Sequence, residues 1–283
     1  MNGLISAIYR ARGVLLFVSV IAIFVGTIGA QVIPFVPVKT VASVLPLVGI
    51  LGMLLVLAVV IPGVKLLPTW EPRTVTSPVT GRWMALNSPA TRVPSHGVRA
   101  YGQTHAVDLV CDPADRVRPE FGTGIVLRYP TEYPAFGEPV RAMIDGVVVR
   151  VADSQRDHRA RASLLGFGYM MVEGTLRELG GPRFIVGNTI TIRGDDGVFA
   201  LVAHVKQRSA IVGVGDRVTA GQPIGACGNS GNSSEPHVHA QLMDRASVWT
   251  AHGIPMVFGS VSVDEESEER DAMPADNEHI TVR

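Results

Sequence analysis

The chain is short of several things, and each shortage narrows its reading. It holds two cysteines in 283 residues, Cys111 and Cys227. Two are too few for a disulfide framework; they leave room for one bond in an oxidising compartment or, more plainly, for two small buried residues. Net charge is zero and the pI is near 7, so no bulk electrostatic attraction points to nucleic acid. Lysine is scarce: Lys39, Lys65 and Lys206 are the only ones among 25 basic residues, a bias that reflects genome composition better than function. Between Val79 and Val261 no long amphipathic helical period occurs, which turns that region towards strands.

Charge is also missing locally. Residues 14–30 carry none, and after Gln31 the apolar run continues to Val38; residues 40–64 carry none either. The first 64 residues hold only Arg10, Arg12 and Lys39 as charges. Each stretch is long enough for a bilayer, which takes about 20 apolar residues. The expectation is a membrane anchor over residues 1–65, with two transmembrane segments at about 14–36 and 41–63. A cleaved signal peptide competes for the first segment, with Arg10 and Arg12 as its basic start and Gly29-Ala30 as its exit. Its apolar stretch is longer than such a peptide needs, and Ile28 is a poor residue three before the cut, so an uncleaved span is favoured.

A Pro-rich linker follows at 66–78, with Pro68, Pro72 and Pro78. From Val79 short β-type runs alternate with Gly, Pro and Asp punctuation: 82–86, 105–111, 124–128, 139–151, 189–193, 198–204, 222–226 and 236–243. Asp145-Gly146 and Asp195-Asp196-Gly197 read as hairpin turns. The best helix candidate lies in 154–183, which reads as an insertion between strands. The prediction is one mostly β domain over 79–262, an antiparallel sheet or sandwich. The remainder, 263–283, opens on an acidic run and reads as a disordered tail.

The chemistry sits in Ser234-Glu235-Pro236-His237-Val238-His239-Ala240-Gln241. Two histidines one residue apart on a strand share a face of its sheet. Two neighbouring imidazoles suit zinc, although two half-buried histidines satisfied by backbone carbonyls would leave the same trace. Two further strands carry metal-type side chains in apolar surroundings. Asp108 lies in Thr104-His105-Ala106-Val107-Asp108-Leu109-Val110, where an acid is costly unless paired or metal-bound. His204 ends the run Phe199-Ala200-Leu201-Val202-Ala203-His204.

With these pieces in order, the chain resembles the lysostaphin/LytM-type zinc metallopeptidases, which cleave peptides of bacterial peptidoglycan. The resemblance runs through Pro139-Val140-Arg141-Ala142, Asp145-Gly146-Val147-Val148, Gly187-Asn188-Thr189-Ile190 and Ala203-His204. It continues through Gly215-Asp216-Arg217-Val218-Thr219-Ala220-Gly221-Gln222-Pro223-Ile224-Gly225 and Gly228-Asn229-Ser230-Gly231-Asn232-Ser233 into His237 and His239. It implies zinc as cofactor, Asp108 and His239 as ligands, and His204 and His237 as the non-ligand histidines beside the bound water. The pattern departs at the first histidine ligand. Four residues before Asp108 stands Thr104, which cannot serve that way. His105, at an odd offset, would need a bulge to share a strand face with Asp108. His96, in the loop Pro94-Ser95-His96-Gly97, could fold back over the site and is favoured.

The resemblance further implies a membrane-anchored endopeptidase acting on peptidoglycan stem or cross-link peptides, its domain on the extracytoplasmic face. Charge points the other way: Arg10, Arg12, Lys65, Arg73 and Arg82 all favour the cytoplasmic side. The alternative function is a non-catalytic module of the same fold that binds or regulates a cell-wall partner.

Overall fold

The computed structural model describes residues 2–264 and 268–283. The chain divides into two units, Met1–Thr69 and Trp70–Arg283.

The first unit is two helices, α1 (Asn2–Val32) and α2 (Val36–Val64), of 31 and 29 residues. Each is long and apolar enough to cross a membrane, and only 17% of each apolar window is buried. A core helix of a soluble domain would be mostly buried. Glycines bring the pair close: a Cβ at Gly49 would meet Ser19 O at 2.5 Å, and one at Gly26 would meet Pro46 at the same distance. Small residues at a crossing let two helix backbones approach where lipid offers no hydrophobic drive.

The second unit is sheet-rich. Its strands are β1 (Arg73–Val75), β2 (Gly81–Leu86), β3 (Val107–Cys111), β4 (Pro139–Arg141), β5 (Gly146–Ala152), β6 (Thr189–Arg193), β7 (Phe199–Ala203), β8 (Arg217–Val218), β9 (Pro223–Ala226), β10 (Val238–Met243), β11 (Gly253–Ile254), β12 (Met256–Val263), β13 (Arg270–Ala272) and β14 (His279–Val282). Among the described residues its helices longer than three residues are α3 (Leu164–Leu179) and the short α4 (Arg183–Val186). The main sheet runs β1-β12-β14-β2-β3-β10-β7-β6-β5-β8, with β11 on β10 and β13 on β12. Among the described strand pairs β1–β12 alone is parallel; β4 and β9 pair separately.

Period-two alternation then decides which side chains face the core. Val107, Leu109 and Cys111 of β3, Ala200 and Val202 of β7, and Val238, Ala240 and Leu242 of β10 all enter the main core with Trp83, Phe258 and Ile280. Asp108, His239 and Gln241 are left on the opposite face of the sheet. Apolar burial worth about 25 cal/mol per Å² thereby fixes a register that puts polar side chains together elsewhere.

Several expectations change. The run 105–111 becomes a strand only from Val107; Gln103–His105 is a 3-10 turn. The run 124–128 is no strand, and Asp145-Gly146 is a corner rather than a hairpin, because β4 pairs with β9 and β5 with β6 and β8. Part of the expected linker is β1, paired with β12. The expected disordered tail contains β13 and β14, with Ala272 and Ile280 buried. Two apolar positions in good strand contexts outweigh the acidic run before them. Of that run, residues 265–267 lie outside the described residues. Cys111 and Cys227 are both buried and unpaired.

Candidate metal centre

The site grows from the middle of the main sheet. β10 lies between β3 and β7, with His239 directly opposite Asp108 on one side and Ala203 on the other. His204 follows Ala203 just past the end of β7, at a φ of 58°. Asn87 follows β2 in the same manner, at a φ of 49°, beside Leu86, which opposes Asp108. Asn and His are among the residues that enter this left-handed region most readily. His237 precedes β10 and turns its ring to the same place.

The loop carrying His96 closes the arrangement. Ser95 N donates to Thr104 O at 3.1 Å, and Ser95 Oγ donates to Gln103 O at 3.2 Å. His96, Asp108 and His239 then form a group whose ligand atoms lie within 4.8 Å of one another. His105 is not in the group. It ends the 3-10 turn that holds the Ser95 loop, half-buried, and burial first, then Arg99, push its imidazole down.

The donor set fits a divalent cation. His239 Nε2–H donates to Gln241 Oε1 at 2.8 Å, so Nδ1 is the nitrogen that faces Asp108 Oδ1, at 2.8 Å. The Ser95 hydroxyl proton is committed to Gln103, so Ser95 Oγ accepts from His96 Nδ1–H at 3.0 Å. Nε2 of His96 therefore faces Asp108 Oδ2 at 3.1 Å. Two imidazole nitrogens aimed at one carboxylate call for positive charge there, carried by protons on the rings or by a cation between them. Ligand atoms around tetrahedral zinc sit about 3.3 Å apart, close to both spacings. Outer hydrogen bonds that fix the ligand tautomers, as Gln241 and Ser95 do, are the usual support of such sites. Asn87 Nδ2 donates to Asp108 Oδ2 at 2.8 Å and orients the carboxylate.

Two more histidines flank this group, both buried. His204 Nδ1–H donates to Ser230 O at 2.7 Å, and His237 Nδ1–H to Glu235 O at 2.8 Å. Each therefore presents Nε2 to the cleft, and their ring centroids are 4.6 Å apart. The buried Glu235 is itself gripped by Arg118, whose Nε donates to Oε2 at 2.9 Å. With the protein's own groups alone, burial would raise Asp108, but His96 and His237 outweigh it and hold the carboxyl well below its usual range. Burial, then His237 and His239, push His204 well down. Burial lowers His237 too, but Asp108 prevails and raises it.

The turn that delivers His237 is braced from the insertion. His158 Nε2 lies 2.8 Å from Gly231 O, and Asn229 Nδ2 donates to His158 O at 2.9 Å. Burial first, then the Arg161 guanidinium, push the His158 imidazole down to about 4. Its folded value is below the ordinary 6.5, so the unfolded chain takes the proton first as pH falls. The stabilisation is present above about pH 6.5, is lost between there and about pH 4, and totals roughly 3 kcal/mol. Urea midpoints of wild type and His158→Gln at pH 7 and pH 4.5 check this: the wild type should lose more stability than the variant on acidification.

Asp108, His204, His237, His239 and His96 thus meet in one cleft, and His105 stays outside it. The sequence reading missed Asn87, Ser95 and Gln241, and also Phe167 and Met170 of α3, which line the cleft. Gln241 was legible in principle, since His237, His239 and Gln241 alternate along one strand.

Asp108 and His239 on neighbouring strands, with His96 brought in by a loop and two further imidazoles beside them, make a donor set that could hold a metal ion. Residues 121–250 match the sequence model of Peptidase family M23. That stretch holds the insertion, His204, His237 and His239, while His96 and Asp108 lie upstream of it. Among solved structures, the chain is similar to the catalytic domain of the antimicrobial peptidase lysostaphin from Staphylococcus simulans. Identity is 21%, coverage is 65% of this chain and 88% of that one, and the TM-score is 0.32. A putative glycyl-glycine endopeptidase LytM from Ruminococcus gnavus matches at 19% identity, over 53% and 42% of the two chains, with a TM-score of 0.28. A zinc-containing peptidase from Vibrio cholerae matches at 16%, over 66% and 40%, with a TM-score of 0.30. The match spans less than half of each of these last two chains.

Proposed function

We propose that this protein is a membrane-anchored zinc endopeptidase that hydrolyses peptide bonds in peptidoglycan stem or cross-link peptides, with its domain on the extracytoplasmic face. The observation that carries the reading is the pair of imidazole nitrogens, on His96 and His239, held against Asp108 by hydrogen bonds behind them. The family match over 121–250 and the two membrane-length helices support it. Zinc held by these three residues would supply a Lewis acid that polarises a carbonyl and lowers the pKa of a water towards neutrality.

The chain's own residues supply the rest. Nε2 of His204 or His237 takes the proton of the attacking water and returns it to the leaving amine. The other imidazole, when protonated, faces the negative charge developing on the carbonyl oxygen. Phe167 and Met170 give the cleft an apolar wall that limits water and holds a peptide.

Zinc content and muropeptide digestion of the purified chain test the assignment. His96→Ala is expected to lose both; His105→Ala should keep both. Zinc retained by His96→Ala and lost by His105→Ala would reverse the ligand assignment. Stoichiometric zinc in the wild type with no digestion of any muropeptide would favour a binding module instead.

A further inference from the structure

Helix α3 is amphipathic the wrong way round. At 3.6 residues per turn its outward side collects Leu164, Leu165, Tyr169, Val172, Leu176 and Leu179, each more than half exposed. Gly168 and Thr175 complete that side, so it carries no charge along its length. The charges Glu173 and Arg177 are turned inward, paired with each other, and Glu173 also pairs with the buried Arg161. Glu178 lies at the edge and accepts from the Tyr101 hydroxyl.

A neighbouring segment extends the surface. Residues 121–127 are uncharged, and Ile125 is 64% exposed. Phe121 meets Phe167 edge-on at 5.5 Å, and Ser163 Oγ donates to Val126 O. Apolar patches of this continuity mark a surface that something covers.

The chain itself indicates the occupant. Residues 65–72 alone join α2 to β1, and extended they reach roughly 30 Å at most. A domain tethered to a bilayer through so short a segment stays at its surface. A side of α3 without charge suits the boundary of headgroups and acyl chains, whereas a protein partner would normally meet a polar rim. We propose that the outer side of α3, with residues 121–127, lies in the surface of a lipid bilayer, so that the cleft walled by Phe167 and Met170 of the same helix opens at the membrane and takes peptides held there. The proposal rests on the anchor reading above, and its test separates the two.

The experiment uses the full chain in phosphatidylcholine/phosphatidylglycerol vesicles containing brominated lipid. A polarity-sensitive fluorophore is attached in turn to Val172→Cys on α3, Val214→Cys on an exposed loop, and Leu57→Cys in α2. The two native thiols are buried, so labelling is selective. A blue shift and loss of emission at position 172, with neither at 214, is the expected result. An unquenched label at 172 overturns the proposal, whatever the label at 57 reports. A label at 172 shielded from aqueous iodide yet untouched by brominated lipid would mean that a protein covers α3, and also overturns it. Quenching at 172 without quenching at 57 supports the proposal and sinks the anchor.

Discussion

Replacing His237 or His204 by alanine is expected to lower peptide-bond turnover roughly 10²- to 10⁴-fold while zinc content stays at wild-type level. The reason is positional. Both rings are buried beside the Asp108 group, yet each spends Nδ1–H on a backbone carbonyl, Glu235 for one and Ser230 for the other. Neither is needed to complete the three-donor set of His96, Asp108 and His239. With centroids 4.6 Å apart, the two imidazoles act on the same small volume. Their losses should therefore fail to add: the double variant should be little worse than the more damaging single one. Metal analysis beside steady-state digestion separates the cases. Zinc lost from His204→Ala would show that His204 is a ligand and would contradict the assignment.

Gln241→Leu is expected to weaken zinc binding by roughly 10- to 100-fold without touching a ligand. Gln241 Oε1 accepts the Nε2 proton of His239 and so keeps that proton off Nδ1. Leucine has nearly the same volume but accepts nothing, and the imidazole becomes free to turn or to change tautomer. Gln241→Glu keeps an acceptor for the proton and should retain most of the affinity, although it gives up the bond from Gln241 Nε2 to Tyr101 O. Competition with a chelator of known affinity measures both. Equal zinc affinity in wild type and Gln241→Leu would show that packing alone orients His239.

What the sequence revealed depended on whether a feature is local. The β10 alternation, the apolar runs of β3 and β7 and the turn before His237 are written in neighbouring residues, and they led to His204, His237, His239 and Asp108. The hairpin at Asp195-Asp196-Gly197 was equally legible, and β6 and β7 pair across it from Arg193 opposite Phe199. Long-range pairing was not. Nothing local in Met256–Val263 or His279–Val282 says that they join across a stretch of acids, so the tail read as disordered. The two apolar helices were located by missing charge, but α1 begins at Asn2 because helix propensity carries on past Arg10 and Arg12. His96 came from a pattern of resemblance. Its support from Ser95, Gln103 and Thr104 is a loop geometry that no periodicity encodes.

The position of β14 has a consequence for the order of events during synthesis. It lies between β12 and β2, and so stitches the β1–β12–β13 corner to the strands that carry the site. Every strand it joins is made before it. Until residues 279–282 have left the ribosome, β2 keeps an open edge and the corner has no fixed place, a state prone to wrong pairing. A chain in this condition has its sheet still unclosed, and the pairing of residues 279–282 between β12 and β2 is the step that joins its two parts.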